Sequence, residues 1–279
     1  MGATRIVGAG LRVWAESWLR WFVVALVFTG IPAVLIAAVD PWTSVYGFQW
    51  SIDDSFIVRP DPNGFAIAIG LISGLLLGPW ELVILTRAAL TSTFAPPLRG
   101  GALIGGTIRG VHSVLWIFIL LGLMAIPLFF VIAGIVYAAR DAEASAILVF
   151  IPLAILLYLV PRLATLIAVF VGGAARGSKA IGRAWRLSSR AWATSAGTVI
   201  LSILIGIAVA IPTALLIEGV FPSVTTGDAI GRAIVQSLVN AIVGPMGAAI
   251  VAVLYLELMA RKELLDQEAL RTNLARFDR

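Results

Sequence analysis

The chain has 279 residues, of which 60% are hydrophobic and 13% charged, with a net charge of +5. Soluble domains carry roughly 25% charged residues, so no soluble fold of this length could cover so much apolar surface, whereas lipid can solvate it. The absence of cysteine and the single histidine, His112, exclude disulfides, thiolate metal sites and cysteine nucleophiles and leave little for metal or triad chemistry. The positive balance reads as basic edges facing anionic lipid rather than as a nucleic-acid surface.

A spanning helix needs roughly 20 mostly apolar residues. Six segments meet that length: residues 21–39, 62–80 with apolar character running on to 85, 110–139, 144–161 continuing past Arg162, 191–217 and 233–256. They predict an all-α integral membrane protein with six transmembrane helices in a single membrane domain, residues 1–279. Residues 1–20, 87–109, 176–190 and 261–279 hold sixteen of the 20 basic residues. The other connections, 40–63, 140–144 and 218–232, hold Arg59, Arg140 and Arg232 with eight acids from Asp40 to Asp228. By the positive-inside rule both termini are expected in the cytoplasm of a cell whose inner membrane the chain crosses. A cleaved signal peptide at residues 1–39 is disfavoured, because the segment has copies further along the chain.

Those copies define an internal repeat. Val7, Leu11, Trp14 and Trp18 share their 4, 3, 4 spacing with Ile104, Ile108, Val111 and Leu115, and with Ile181, Trp185, Ser188 and Trp192. That spacing places each set on one stripe of a helix. The same alignment superposes Gly8, Gly105 and Gly182, and Arg12, Arg109 and Arg186. Each elbow leads into a span containing Ile-Pro (Ile31-Pro32, Ile126-Pro127, Ile211-Pro212), and each next span carries a central proline, Pro79, Pro161 or Pro245. The expected unit is an interfacial elbow helix followed by a transmembrane hairpin, over residues 5–92, 101–173 and 178–260, with a cytoplasmic tail at 261–279. Lys179, Arg183, Arg186 and Arg190 form the expected wet stripe of the third elbow; with Arg12 and Arg109 they are the candidate lipid-headgroup contacts. The three prolines remove a backbone hydrogen bond and are expected to kink their helices at equivalent places. Gly70, Gly74 and Gly78 form a small-residue ridge read as a packing face.

The repeated Gly-x-x-x-Arg elbow resembles the membrane domain attached to some glycerophosphodiester phosphodiesterases. The ending Tyr255-Leu-Glu-Leu-Met-Ala-Arg-Lys-Glu-Leu-Leu-Asp266 is similar to free-standing actinobacterial relatives of that domain. The resemblance covers nearly the whole chain and rests on pattern. It implies a six-helix membrane domain with no established activity of its own, the phosphodiesterase chemistry belonging to a separate soluble domain for which this chain has no room.

Two ionisable residues fall deep in expected spans: Glu81, two positions after Pro79, and Arg162, one after Pro161. The repeat puts them at similar depth, so they form a candidate intramembrane polar pair, favoured as a structural lock over a polar path. Arg87 and Glu257 are expected to reach the interface by snorkelling. His112 reads as a neutral interfacial residue. Asp40, Asp53, Asp54 and Asp61 follow no calcium-loop spacing. The tail reads as a short charged helix with Leu270, Leu274 and Phe277 on one stripe. No catalytic motif, cofactor site or metal site is expected, and membrane lipids and other membrane proteins are the expected partners. The leading functional expectation is a non-enzymatic module engaging lipids or partner proteins through basic elbows. The alternative is a small-solute or lipid transporter or channel using a pseudo-threefold axis.

Overall fold

The structure, a computed structural model, describes residues 2–41, 63–94, 115–116, 118–119, 154–155, 157–172, 178–189, 191–222 and 225–261. Most of the expected spans at 110–139 and 144–161, the second elbow with Gly105, Arg109 and His112, Asp53, Asp54 and Asp61, and the tail beyond Arg261 lie outside them. The described residues are helical and contain no strand.

Helix α1, Ala3–Glu16, precedes a first span made of α2, Trp18–Ala25, a π-helical segment, Leu26–Gly30, and α3, Ile31–Val39. The second consists of α4, Gly64–Ile72, a π-helical segment, Ser73–Leu77, and α5, Gly78–Phe94. The apolar helix Leu157–Val171 turns at Ala164–Thr165, and its last part, Leu166–Val171, is α6. Then come α7, Ser178–Ser189, α8, Trp192–Val220, and α9, Thr226–Arg261. Four of these helical runs are long and apolar enough to cross a membrane: Trp18–Val39, Gly64–Ser92, Trp192–Val220 and Thr226–Arg261. They give the chain the character of a membrane-embedded protein.

Helix α9 is the spine. It packs against α1, α2, α3, α5 and α8, and the sequence explains why. Ala229, Ala233, Ser237, Ala241 and Pro245 recur every fourth residue and are all buried. Small side chains on one row let other backbones approach closely, which is how helices associate in lipid. Ala37 packs on Ala229 and Ala233, and a Cβ at Gly30 would lie 3.3 Å from Ser237 Cβ. The tightest crossing is between α1 and α9, where a Cβ on Gly10 would come within 2.7 Å of Ile250 Cα. At the far end Gly231 admits the Phe221 ring, which would stand 2.3 Å from a Cβ there.

The elbows hinge alike. Ser17, between α1 and α2, has φ −138° and ψ 21°; Ala191, before α8, has φ −128° and ψ 30°. At each hinge the N–H bonds three residues back, Ser17 to the Trp14 carbonyl and Ala191 to that of Ser188. Trp18 and Trp192 therefore open the spans rather than closing the elbows.

The prolines act in two ways. Ile31 N–H bonds the Leu26 carbonyl and Gly78 N–H that of Ser73, both reaching back five residues, and a proline follows immediately in each case. A normal turn would press the proline ring on the carbonyl four residues back, and the wider π turn relieves this. In contrast, α8 and α9 stay α-helical through Pro212 and Pro245. The backbone around the three expected kink positions differs: Pro79 follows a π segment, Pro161 precedes the turn at Ala164–Thr165 by three residues, and Pro245 lies within a continuous α-helix. The glycine ridge also differs from expectation. A Cβ on Gly74, inside the π segment, would meet nothing within 4 Å, and one on Gly78, just after it, only its own helix's Ser73 carbonyl, so these two glycines do not pack on another helix.

Candidate functional site

Glu81 lies near the middle of the second span. The neighbouring π segments place Thr29 beside it, and the Thr29 hydroxyl donates to Glu81 Oε2. On its other side runs α9, where Gly244 adjoins the carboxylate: a Cβ there would be 3.8 Å from Glu81 Oε1. Thr29 and Gly244 are likewise near the middles of their spans. Pro79 is buried just before this site, as is the indole nitrogen of Trp80, which has no hydrogen-bond partner.

Arg162 is held elsewhere. Its Cζ is 5.0 Å from the centroid of the Tyr158 ring and 4.9 Å from that of Trp185 on α7. The two rings meet edge to face at 5.9 Å. Ser188 Oγ donates to the Arg162 carbonyl at 3.1 Å, a second tie between α7 and this helix. The contacts with Trp185 and Ser188 hold Arg162 against the third elbow, at the elbow end of the bundle. One desolvated cation–π contact is worth about 2 kcal/mol, and two rings flank this guanidinium, so the arginine is compensated without a carboxylate. The structure accordingly does not form the expected Glu81–Arg162 pair: the acid is bound to a hydroxyl, the base to two rings.

Arg87 also departs from expectation. It does not snorkel; its side chain is 0% exposed, within the core that also contains Leu85, Ala89 and Leu90. Glu257 is half-buried and accepts from Arg261 Nε at 2.9 Å, while Arg261 Nη1 reaches Thr194 Oγ1 at 3.4 Å.

The elbows present basic faces. In α7, Ala180, Ala184, Leu187 and Ser188 are buried, while Lys179, Gly182 and Arg186 are exposed. In α1, Ile6, Val7 and Gly10 are buried, while Arg5, Gly8 and Arg12 are exposed. Each elbow thus shows a cation, a glycine and a cation at the same spacing, three then four residues, on its outer face. A Cβ on Gly8 or Gly182 would meet nothing within 4 Å, so the space between the cations is open. Arg183, expected on the wet stripe, is half-buried; Arg109 and Arg190 lie outside the described residues. Reading the sequence for repeats missed Arg5, whose signal was its registry with Lys179. It also missed Gln236 and Asn240, two amides one turn apart in an apolar span, joined by a 3.0 Å hydrogen bond.

Compared with known proteins, the chain matches no family model, no curated protein and no solved structure.

Proposed function

We propose that this chain is a multi-pass protein of the cell membrane that engages anionic phospholipid headgroups through its elbow helices and carries no catalytic chemistry of its own. The observation that carries this reading is the matched outer face of α1 and α7, with Arg5, Gly8 and Arg12 on one and Lys179, Gly182 and Arg186 on the other. Residues seven apart are about 10 Å apart along the axis, and flexible side chains can close from there on a phosphate resting over the glycine. Buried small and apolar residues on the inner faces hold both elbows to the bundle and leave the cations on the outer faces, which supports a contact with headgroups.

The finer architecture belongs to the same proposal: three elbow-plus-hairpin repeats, six spans and cytoplasmic termini. The common hinge geometry at Ser17 and Ala191 and the registry of Arg5-Gly8-Arg12 with Lys179-Gly182-Arg186 support the repeat. The concentration of basic residues at the elbow end supports the orientation. Kinship with the membrane domain of the glycerophosphodiester phosphodiesterases is part of the proposal and rests on the elbow pattern.

Native mass spectrometry from nanodiscs containing phosphatidylglycerol and phosphatidylcholine tests it. The wild-type protein should retain phosphatidylglycerol preferentially, and an Arg12→Gln/Arg186→Gln variant should lose most of that preference. Equal retention of both lipids by wild type, or an unchanged preference in the variant, would sink the reading.

A further inference from the structure

Beside the buried small row of α9 runs a second row, displaced by one residue: Asp228, Arg232, Gln236, Asn240 and Gly244. Residues four apart are neighbours on successive turns. The row starts at the end of the bundle away from the elbows, where Arg232 donates to the Phe221 carbonyl. Gln236 and Asn240 are exposed, and Gln236 Nε2 donates to Asn240 Oδ1. The row finishes at Gly244, against Glu81 Oε1. Lipid tails satisfy no amide, so two amides exposed at this depth bond each other and draw in water or another polar partner.

Glu81 itself is set where three spans meet. Thr29, in the first π segment, is hydrogen-bonded to it; the second π segment ends four residues before it; Gly244 adjoins it. Single π turns inside α-helices are frequent at functional sites. No titratable side chain is present in residues 21–39, 63–80, 166–172 or 233–254, which include the span segments packed around α5. The charges on α1 and α2, namely Arg5, Arg12, Glu16 and Arg20, are exposed at the elbow end. On α5 itself the charged neighbour is the buried Arg87, six residues further on.

We propose that Glu81 is a proton-binding site in the middle of the bundle, loaded from the Phe221–Arg232 end along the Gln236–Asn240 row. A proton delivered by water bonds to a carboxylate oxygen and leaves the span uncharged at that depth. The Thr29 hydroxyl rotates to suit either state, donating to the carboxylate or accepting from the carboxyl. A metal cation fits less well. Calcium takes 6–8 oxygen ligands and magnesium six, whereas one carboxylate and one hydroxyl stand here, and no group of three His, Cys, Asp or Glu that could hold a metal ion occurs among the described residues.

Infrared difference spectroscopy of the protein in lipid, titrated with acid, tests the site. A carboxyl C=O band should grow as pH falls and be missing in Glu81→Gln, which preserves shape. Dicyclohexylcarbodiimide, a lipid-soluble reagent for protonated carboxyls, should label Glu81 at low pH and progressively less as pH rises. No titrating band assignable to Glu81, or labelling independent of pH, overturns the site. The path is tested by switching to D2O: the carboxyl band should shift at least tenfold more slowly in Asn240→Leu and Gly244→Leu, both of which keep Glu81. Exchange at the wild-type rate in both overturns the route.

Discussion

Ser17 and Ala191 hold the same non-helical backbone conformation, and each turns a basic elbow helix into a membrane-spanning one. Neither is a glycine or a proline. The hinge is set by what flanks it: an elbow whose inner face is fixed to the bundle and a tryptophan that begins the span.

Gly10 is the position where the first elbow cannot tolerate growth. Its missing Cβ faces Ile250 Cα at 2.7 Å and Ile250 N at 2.9 Å, and backbone cannot move aside as a side chain can. Gly10→Leu is expected to lower stability by about 1–3 kcal/mol, the usual overpacking cost. Gly8→Ala, facing open space two residues away, should cost nothing and gain up to about 1 kcal/mol of helix propensity. Thermal unfolding in detergent followed by circular dichroism checks both; equal midpoints for Gly10→Leu and wild type would remove the close crossing.

The ring clamp on Arg162 should behave as a coupled unit. Trp185→Leu removes one ring and is expected to destabilise by about 1–2 kcal/mol. In an Arg162→Leu background the same change should cost much less, because no cation is left to lose its partner. A double-mutant cycle on detergent stability measures the coupling, and strict additivity would show that the rings merely pack.

The chain contains no cysteine, so single cysteines report sidedness without a background. Gly8→Cys and Gly182→Cys, both exposed, should react with a membrane-impermeant maleimide only in inside-out vesicles. Gly227→Cys, exposed at the start of α9, should react only in right-side-out vesicles. With six spans, Asp141→Cys should follow Gly227. Opposite labelling of Gly8 and Gly182 would rule out the proposed topology.

Asn63 caps α4: its Oδ1 accepts from Phe65 N at 2.9 Å, and its own N–H donates to Asp40 Oδ2 at 3.1 Å across the end of the first hairpin. Asn63→Ala keeps the second bond and loses the first. The expected loss is about 1 kcal/mol, typical of an N-cap, read as a lower unfolding midpoint. Asp40→Ala should lower it too, by removing the bond that joins the two spans.

The sequence by itself determined which of the described segments are long apolar helices and where along each a residue falls, because apolar length and charge position are properties of the chain read along one dimension. The four long apolar helices, the elbows at the N-terminus and before Trp192, and the place of Glu81 near the middle of its span were all legible in that way. Azimuth was not. Whether two residues at one depth meet depends on how each helix is rotated about its axis, and packing settles that. The row of alanines on α9 turns Gly244 toward Glu81 and brings Thr29 beside it, while α7 lays Trp185 over Arg162. Arg87 likewise sits at a depth from which a long side chain could reach the interface, yet it points into the core. Proline positions were visible too, but the widened turns before Pro32 and Pro79, and the unbroken helix through Pro245, depend on room that neighbouring helices leave or deny.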